Sequence, residues 1–454
     1  MSPPPGRPKE GSLPLGGTAR SAQGASTNIA IVNGRVIDPA TGFDQVAGVY
    51  IADGKIAAIG RAPEHFKADR TLDARGLIVA PGLVDLCARL GEPGHEGALK
   101  VEMKAALAGG VTSVVCPPDT DPPLDEPGLV RMLRQRSRES AGARTYPLGA
   151  LTAALKGEAL AEIKTLSEAG CVAFMQTRSL PHDNSVLLQA MRYAKTFELP
   201  VWLRPVEDTL AGSGVAGAGA VAGRLGLPSV PVVAETVALH TIFELQRATG
   251  AQIHICRLSS SEGIELVRQA KRDGQLVTAD VAIHHVHLID VDIGYFDPNF
   301  RLDPPLRGAR DRDAIVAGLA DGTIDIICSD HAPIGEDDKL LPFGEAEPGA
   351  TALETLLSLT LKWAAENNVP LVQALSKITS GPAEVLGKGS AKGRLAVGAK
   401  ADVVVFDPTA HWVVGVETLV SAGKNTPFAG YELEGRVRYT LVGGEVRYEA
   451  ASPC

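Results

Sequence analysis

Between Leu83 and Ser329 eight short apolar runs recur, each followed by enough chain for a helix, and this alternation leaves few folds open. The runs are Leu83 to Leu86, Thr112 to Cys116, Thr145 to Leu151, Val172 to Gln176, Val201 to Arg204, Ile253 to Leu258, Leu276 to Val281 and Ile324 to Ser329. Eight strands with intervening helices is the count of a closed parallel (β/α)8 barrel, whose functional residues stand at the C-terminal strand ends. Glu354 to Glu366, with Leu356, Leu357, Leu359 and Trp363 on one stripe, and Leu371 to Ile378 read as further helices. The Gly- and Ala-rich stretch Ala211 to Gly226 reads as a mobile loop at the barrel mouth.

The two ends of the chain have a different texture. Asn28 to Ile37, Val46 to Ile51 and Lys55 to Ile59 are strand-like, the last two joined through Asp53-Gly54, a two-residue hairpin signal. Ala401 to Phe406, Arg436 to Val442 and Glu445 to Tyr448 repeat the pattern around Gly443-Gly444, so both ends are expected to share one small sheet. The domains expected are a disordered leader at 1–27, rich in Pro and Gly, a composite β-domain from 28–82 and 388–454, and a barrel from 83–387.

Composition restricts function. With 45% hydrophobic and 21% charged residues the chain can bury a large core, and a net charge of −9 argues against nucleic acid as a partner. Without an apolar stretch of membrane-spanning length or a signal-peptide core, a soluble, cytoplasmic protein is expected. Cys87, Cys116, Cys171, Cys256, Cys328 and Cys454 follow no metal-ribbon or disulfide spacing, and most fit buried, reduced thiols. No nucleophile elbow, P-loop or dinucleotide-binding glycine pattern stands in a suitable context.

Several long motifs in order resemble the dihydroorotase branch of the amidohydrolase superfamily: Pro81-Gly82-Leu83-Val84-Asp85, His254-Ile255-Cys256-Arg257-Leu258-Ser259, Asp303-Pro304-Pro305-Leu306-Arg307, Ser329-Asp330-His331-Ala332-Pro333 and Lys424-Asn425-Thr426-Pro427-Phe428-Ala429-Gly430. The resemblance implies a metal-dependent cyclic-amide hydrolase on a barrel. Its metal-binding positions, however, carry other residues. Cys87 and Arg89 stand where that family has its two first-strand histidines, and Gly91 where it has the substrate-binding arginine. Gln176 replaces the fourth-strand carboxylate, Arg204 or Pro205 the fifth-strand histidine, and Arg257 the sixth-strand histidine. Asp330, the family's last ligand and proton shuttle, is kept. Among substrate contacts, Asp119 and Asp303 replace asparagines and Ile334 a histidine.

A guanidinium has no lone pair to give a metal. A hydrolytic metal must bring bound water from a pKa of about 15.7 to near 7, which requires several ligands. The expectation is therefore a vestigial site with no metal, in which Arg89 and Arg257 converge on Asp330 and neutralise it. The resemblance is greatest to non-catalytic dihydroorotase-like chains that pair with aspartate carbamoyltransferase, which implies a structural subunit in a hetero-oligomer with the transferase catalytic chain. Two alternatives stay open: an active dihydroorotase or related amidohydrolase with an atypical zinc site, Cys87 being a candidate ligand, and an anion sensor built on Arg89 and Arg257. His284, His285 and His287 resemble a metal cluster but match a family segment outside its metal site, and a structural role is expected for them and for His331; His95 reads as a solvated loop residue.

Overall fold

A computed structural model describes residues 27–92, 94, 97–140 and 142–451; the expectations for the leader up to residue 26, for His95 and for Cys454 fall outside them. Parallel strands form the barrel in chain order. They are Leu83–Asp85, Val111–Cys116, Arg144–Pro147 continuing as Gly149–Ala150, Phe174–Gln176, Val201–Leu203, Ile253–Ile255, Val277–Ala282 and Ile326–Cys328. The third strand breaks at Leu148, so its first half pairs with the second strand and its second half with the fourth.

The eighth and first strands close the ring without a regular ladder. At the mouth, the His331 N–H donates to the Cys87 carbonyl at 3.1 Å and the Arg89 N–H to the His331 carbonyl at 2.9 Å. At the base, Lys377 and Ile378 wedge between the two strands, their carbonyls accepting from Ile327 at 3.1 Å and Val84 at 2.9 Å. The interior is filled by side chains from many strands, including Val84, Val115, Met175, Trp202 and Ile326, while a larger apolar layer lies between the strands and the helices outside.

The chain ends build one sheet, as expected. Its order runs Glu445–Glu449, Glu432–Val442, Val403–Val413, Ile78–Pro81, Ile29–Asp38, Phe43–Ala52 and Lys55–Gly60, with Arg70–Asp73 also paired to Ile29–Asp38. The halves meet where Ile78–Pro81 runs antiparallel to Val403–Phe406. Asp53 and Gly54 both have positive φ, 51° and 71°, which suits the twist of the tight turn their sequence signals.

One loop expectation is corrected. Ala211 to Gly226 contains the strand Ala216–Gly217, paired with Ser229–Val230, and the helix Ala220–Leu225. Val215, Ala216 and Ala222 are buried with Ile293 and Phe343, forming a small core of their own. The glycines here serve close packing: a Cβ on Gly217 would stand 2.5 Å from the Leu306 carbonyl oxygen. Among the described residues no helix is long and apolar enough to cross a membrane.

Trp202 is the largest side chain in the barrel interior, 1% exposed and with its ring 4.5 Å from that of His254. Replacing it by alanine leaves a void that the closed ring of strands cannot collapse around, so W202A is expected to lose about 3–5 kcal/mol of stability, measured by chemical denaturation.

Candidate functional site

Two buried carboxylates set the backbone at the barrel mouth. Asp85, on the first strand, accepts from the Ser329 N–H at 2.8 Å and its hydroxyl at 2.5 Å. This fixes the turn carrying Asp330, whose φ of 47° lies in the left-handed region. Asp280, on the seventh strand, accepts from the Arg257 N–H at 2.6 Å, and Arg257 also has a left-handed φ, 58°. His254 braces Asp280, with Nε2 at 2.9 Å from Oδ2 and Nδ1 at 2.8 Å from the Thr278 hydroxyl. Both conformations cost free energy for residues with a Cβ, and both are held by buried hydrogen bonds.

So positioned, the two side chains meet. Arg257 Nη1 stands 2.9 Å from Asp330 Oδ1, with the two side chains 2% and 11% exposed. Arg89 Nη1 approaches the same oxygen at 3.3 Å, and the Cys87 thiol donates to it at 3.3 Å. Burial alone would raise the Asp330 pKa, but Arg257 and then Arg89 outweigh it and hold the carboxyl well below its ordinary range. Burial pushes the Cys87 thiol far up, in keeping with its role here as a donor to Asp330.

The remaining sequence candidates take other places. Asp119, read from sequence as a damaged substrate contact, is a second counter-ion for Arg89, its Oδ2 2.9 Å from Nη2 and 3.2 Å from Nε. Arg89 would therefore keep a partner without Asp330, and only Arg257 depends on it. Asp303 forms a bidentate ion pair with Arg204. Gln176 spends its amide on the Thr152 hydroxyl at 2.8 Å and the Leu155 carbonyl at 2.9 Å. Gly91 takes a turn at φ 74°, and the Ile334 N–H donates to Asn425 Oδ1 at 3.0 Å beside a separate cavity of about 660 Å³.

The four candidate histidines touch the scaffold, with His284 Nε2 and His285 Nδ1 left without a hydrogen-bond partner among the described residues. His331 Nε2 lies 2.9 Å from Glu102, which also accepts from the Ser421 hydroxyl at 2.7 Å, and His331 Nδ1 accepts from the Ala352 N–H at 3.1 Å. His284 stacks on Phe428, while His285 and His287 bond the carbonyls of Pro304 and Leu359. The metal centre that the fold family implies does not fit these residues. A neutral thiol, two guanidinia bonded to carboxylates and a turned-away amide supply no donor set around Asp330. Among the described residues one constellation has metal-like composition: ligand atoms of His254, Cys256 and Asp280 lie within 4.8 Å of one another. Both His254 nitrogens are already hydrogen-bonded, and burial drives the Cys256 thiol well above its ordinary value.

Sequence reading missed Asp85 and Asp280 as supports and Asp119 and Asp303 as counter-ions. The motif positions of Asp119 and Asp303 drew attention only to the substrate contacts they replace. A search for acidic partners matching the number of new arginines would have found them.

D330N is expected to destabilise the chain by about 3–5 kcal/mol, because it leaves the buried Arg257 charge uncompensated; an unfolding midpoint equal to the parent's would contradict the pairing. A pH dependence follows from the histidines. Burial lowers the pKa of His284 to about 3 and of His285 and His287 to about 4, so the unfolded chain takes up protons first as pH falls below about 6.5. Asp85, raised by burial to about 6, opposes this, as do Glu354 and Asp290, which burial displaces less far in the same direction. Asp330, held low, adds stability that is lost only below its unfolded value near pH 4. The urea midpoint is therefore expected to fall between pH 6.5 and about 4.5 and to fall further below that; a midpoint flat down to pH 4.5 would contradict the neutral burial of the three rings.

Residues 76–263 match the dihydro-orotase-like family and residues 216–447 the amidohydrolase family. A dihydroorotase-like protein of Pseudomonas putida is 44% identical over 92% of this chain and 98% of its own length. A dihydroorotase of Citrifermentans bemidjiense is 38% identical over 93% and 100%. Among solved structures, the L-hydantoinase (dihydropyrimidinase) of Arthrobacter aurescens superposes with a TM-score of 0.83 at 24% identity, covering 93% of this chain and 96% of that one, which shows the shared fold. With a barrel of this closure, a composite terminal sheet and these relatives, the chain belongs to the dihydroorotase-like branch of the amidohydrolase family.

Proposed function

We propose that this chain is a non-catalytic dihydroorotase homologue that acts as a structural subunit of aspartate carbamoyltransferase in pyrimidine biosynthesis, working in the cytoplasm as part of a hetero-oligomer and without a metal. The observation that carries the loss of catalysis is the Arg257–Asp330 pair, backed by Arg89: cationic side chains occupy the charge role of a metal around the retained aspartate. Hydrolysis of a cyclic amide requires an activated water, and a carboxylate whose Oδ1 is shared by two guanidinia and a thiol and whose pKa they hold well below the ordinary range is a poor proton acceptor at neutral pH. A scaffold kept in good order around such a centre retains value as a surface. The transferase as the partner comes from the resemblance in sequence, and the relative named a dihydroorotase-like protein is consistent with it.

A second reading, a hydrolase with an atypical zinc site, has one observation in its favour, the His254, Cys256 and Asp280 grouping. It is weaker because Asp280 is engaged by the Arg257 backbone and His254 in holding the mouth together.

Co-expression with the aspartate carbamoyltransferase catalytic chain, followed by affinity capture and assay of both activities, tests the proposal. The expected result is a stable complex whose transferase assembly depends on this chain, with no dihydroorotate turnover in the presence of zinc. The variant carrying C87H, R89H and R257H together is expected to remain inactive, since Gln176, Arg204, Gly91 and Ile334 still supply neither ligands nor substrate contacts. Zinc-dependent turnover by the parent would favour the second reading, and absence of a complex would remove the assembly role.

A further inference from the structure

At the foot of the barrel, opposite the mouth, the third strand begins at Arg144 and shares a cavity of about 430 Å³ with the hairpin that ends the composite sheet. That volume lies within the range of small-molecule sites. Four arginines border it: Arg134 and Arg138 from the helix Pro127–Glu139, Arg144 from the strand, and Arg447 from beyond the Gly443-Gly444 turn. All keep accessible surface. Arg138 is exposed, Arg134 is half-buried, and the side chains of Arg144 and Arg447 are 32% and 33% exposed. Glu445 is the one acid among the described lining residues, so four arginines less one glutamate leave this wall at +3, on a chain whose net charge is −9.

The nearby counter-charges do not balance the cluster. Glu445 pairs with Arg447. Arg144 approaches Asp402 at 3.3 Å, but Lys392 and the Gly443 N–H engage the same carboxylate. Arg134 donates to the Ala169 carbonyl at 2.8 Å and has no acid in ion-pair reach among the described residues. Arg138 has neither an acceptor nor an acid there. The two stand four residues apart on one helix, a spacing at which like charges repel, and Glu139 beside them accepts from Gln135 at 2.9 Å.

Two glycines hold the arrangement. A Cβ on Gly170 would stand 2.1 Å from Arg134 Nη1 and one on Gly443 3.0 Å from Arg144 Nη2, and both residues have positive φ, 118° and 60°. These guanidinia therefore lie against bare backbone. Arginines gathered from three elements around one cavity, with a deficit of acid, suit a ligand carrying several oxyanions, and their forked donors match phosphoryl oxygens.

We propose that this cavity binds a small molecule bearing two or more linked phosphoryl groups, held by Arg134, Arg138, Arg144 and Arg447. The site is separate from the barrel mouth and stands whether or not the chain assembles with a transferase.

Isothermal titration and thermal shift on the purified full chain test it, with inorganic tripolyphosphate as the probe and citrate and inorganic phosphate in parallel arms at matched ionic strength. Tripolyphosphate is expected to bind saturably, about tenfold or more tighter than citrate or phosphate, and to raise the melting temperature. R138E is expected to weaken that binding by about tenfold or more, and R138K by less, because the charge remains while the fork is lost. R224E, which reverses an exposed arginine outside the cavity, is expected to keep the parental affinity. If R138E fails to fold, R447Q takes its place with the same expectation. No saturable binding of tripolyphosphate, equal affinity for citrate, parental affinity in the folded cavity variant, or an equal loss in R224E overturns the proposal.

Discussion

A guanidinium is tolerated away from water only beside a fixed counter-charge, and Arg257 has a single carboxylate in ion-pair contact among the described residues, that of Asp330. The rest of the barrel mouth is arranged around that pair. Asp85 and Asp280 hold the two backbones in left-handed conformations, His254 and Thr278 brace Asp280, and Cys87 and Arg89 close over the shared oxygen. Arg89 is the less dependent partner, since Asp119 balances it independently. The charges thus form two linked pairs, Arg257 with Asp330 and Arg89 with Asp119, and a third, Arg204 with Asp303, stands on the neighbouring wall.

Arginines enter a mouth shaped for a cation because their positive charge can be brought there on a covalent tether. The ion is then part of the chain and cannot be exchanged or lost to chelation. The cost is chemical: a guanidinium neutralises a carboxylate but offers no coordination site at which water becomes a nucleophile. On the proposed reading, electrostatic balance is kept without Lewis acidity, which would separate the role of the fold from the role of the reaction.

Local signals in the sequence carried much of the architecture. The eight barrel runs are legible because a strand buried on both sides is a short continuous apolar stretch, and the Asp53-Gly54 turn because both residues tolerate positive φ. Arg70–Asp73 and Ile78–Pro81 escaped because each is only four residues long and takes its identity from its neighbours in the sheet. The Gly- and Ala-rich stretch misled because small residues signal close packing as readily as freedom. At the site, Arg89, Arg257 and Asp330 were found through motif positions. Their linkage to Asp119 and to the supports Asp85 and Asp280 is a matter of contacts between distant strands, which no local pattern encodes.

The composite sheet also imposes an order on biosynthesis. Ile78–Pro81 has its partner in Val403–Phe406, so its hydrogen-bonding edge stays open while roughly three hundred residues of barrel are translated. The amino-terminal strands can pair among themselves as they leave the ribosome, but the layer is finished only when the carboxyl-terminal strands arrive. Premature termination anywhere within the barrel would therefore leave both an unclosed ring and a bare strand edge, a species suited to chaperone capture or aggregation.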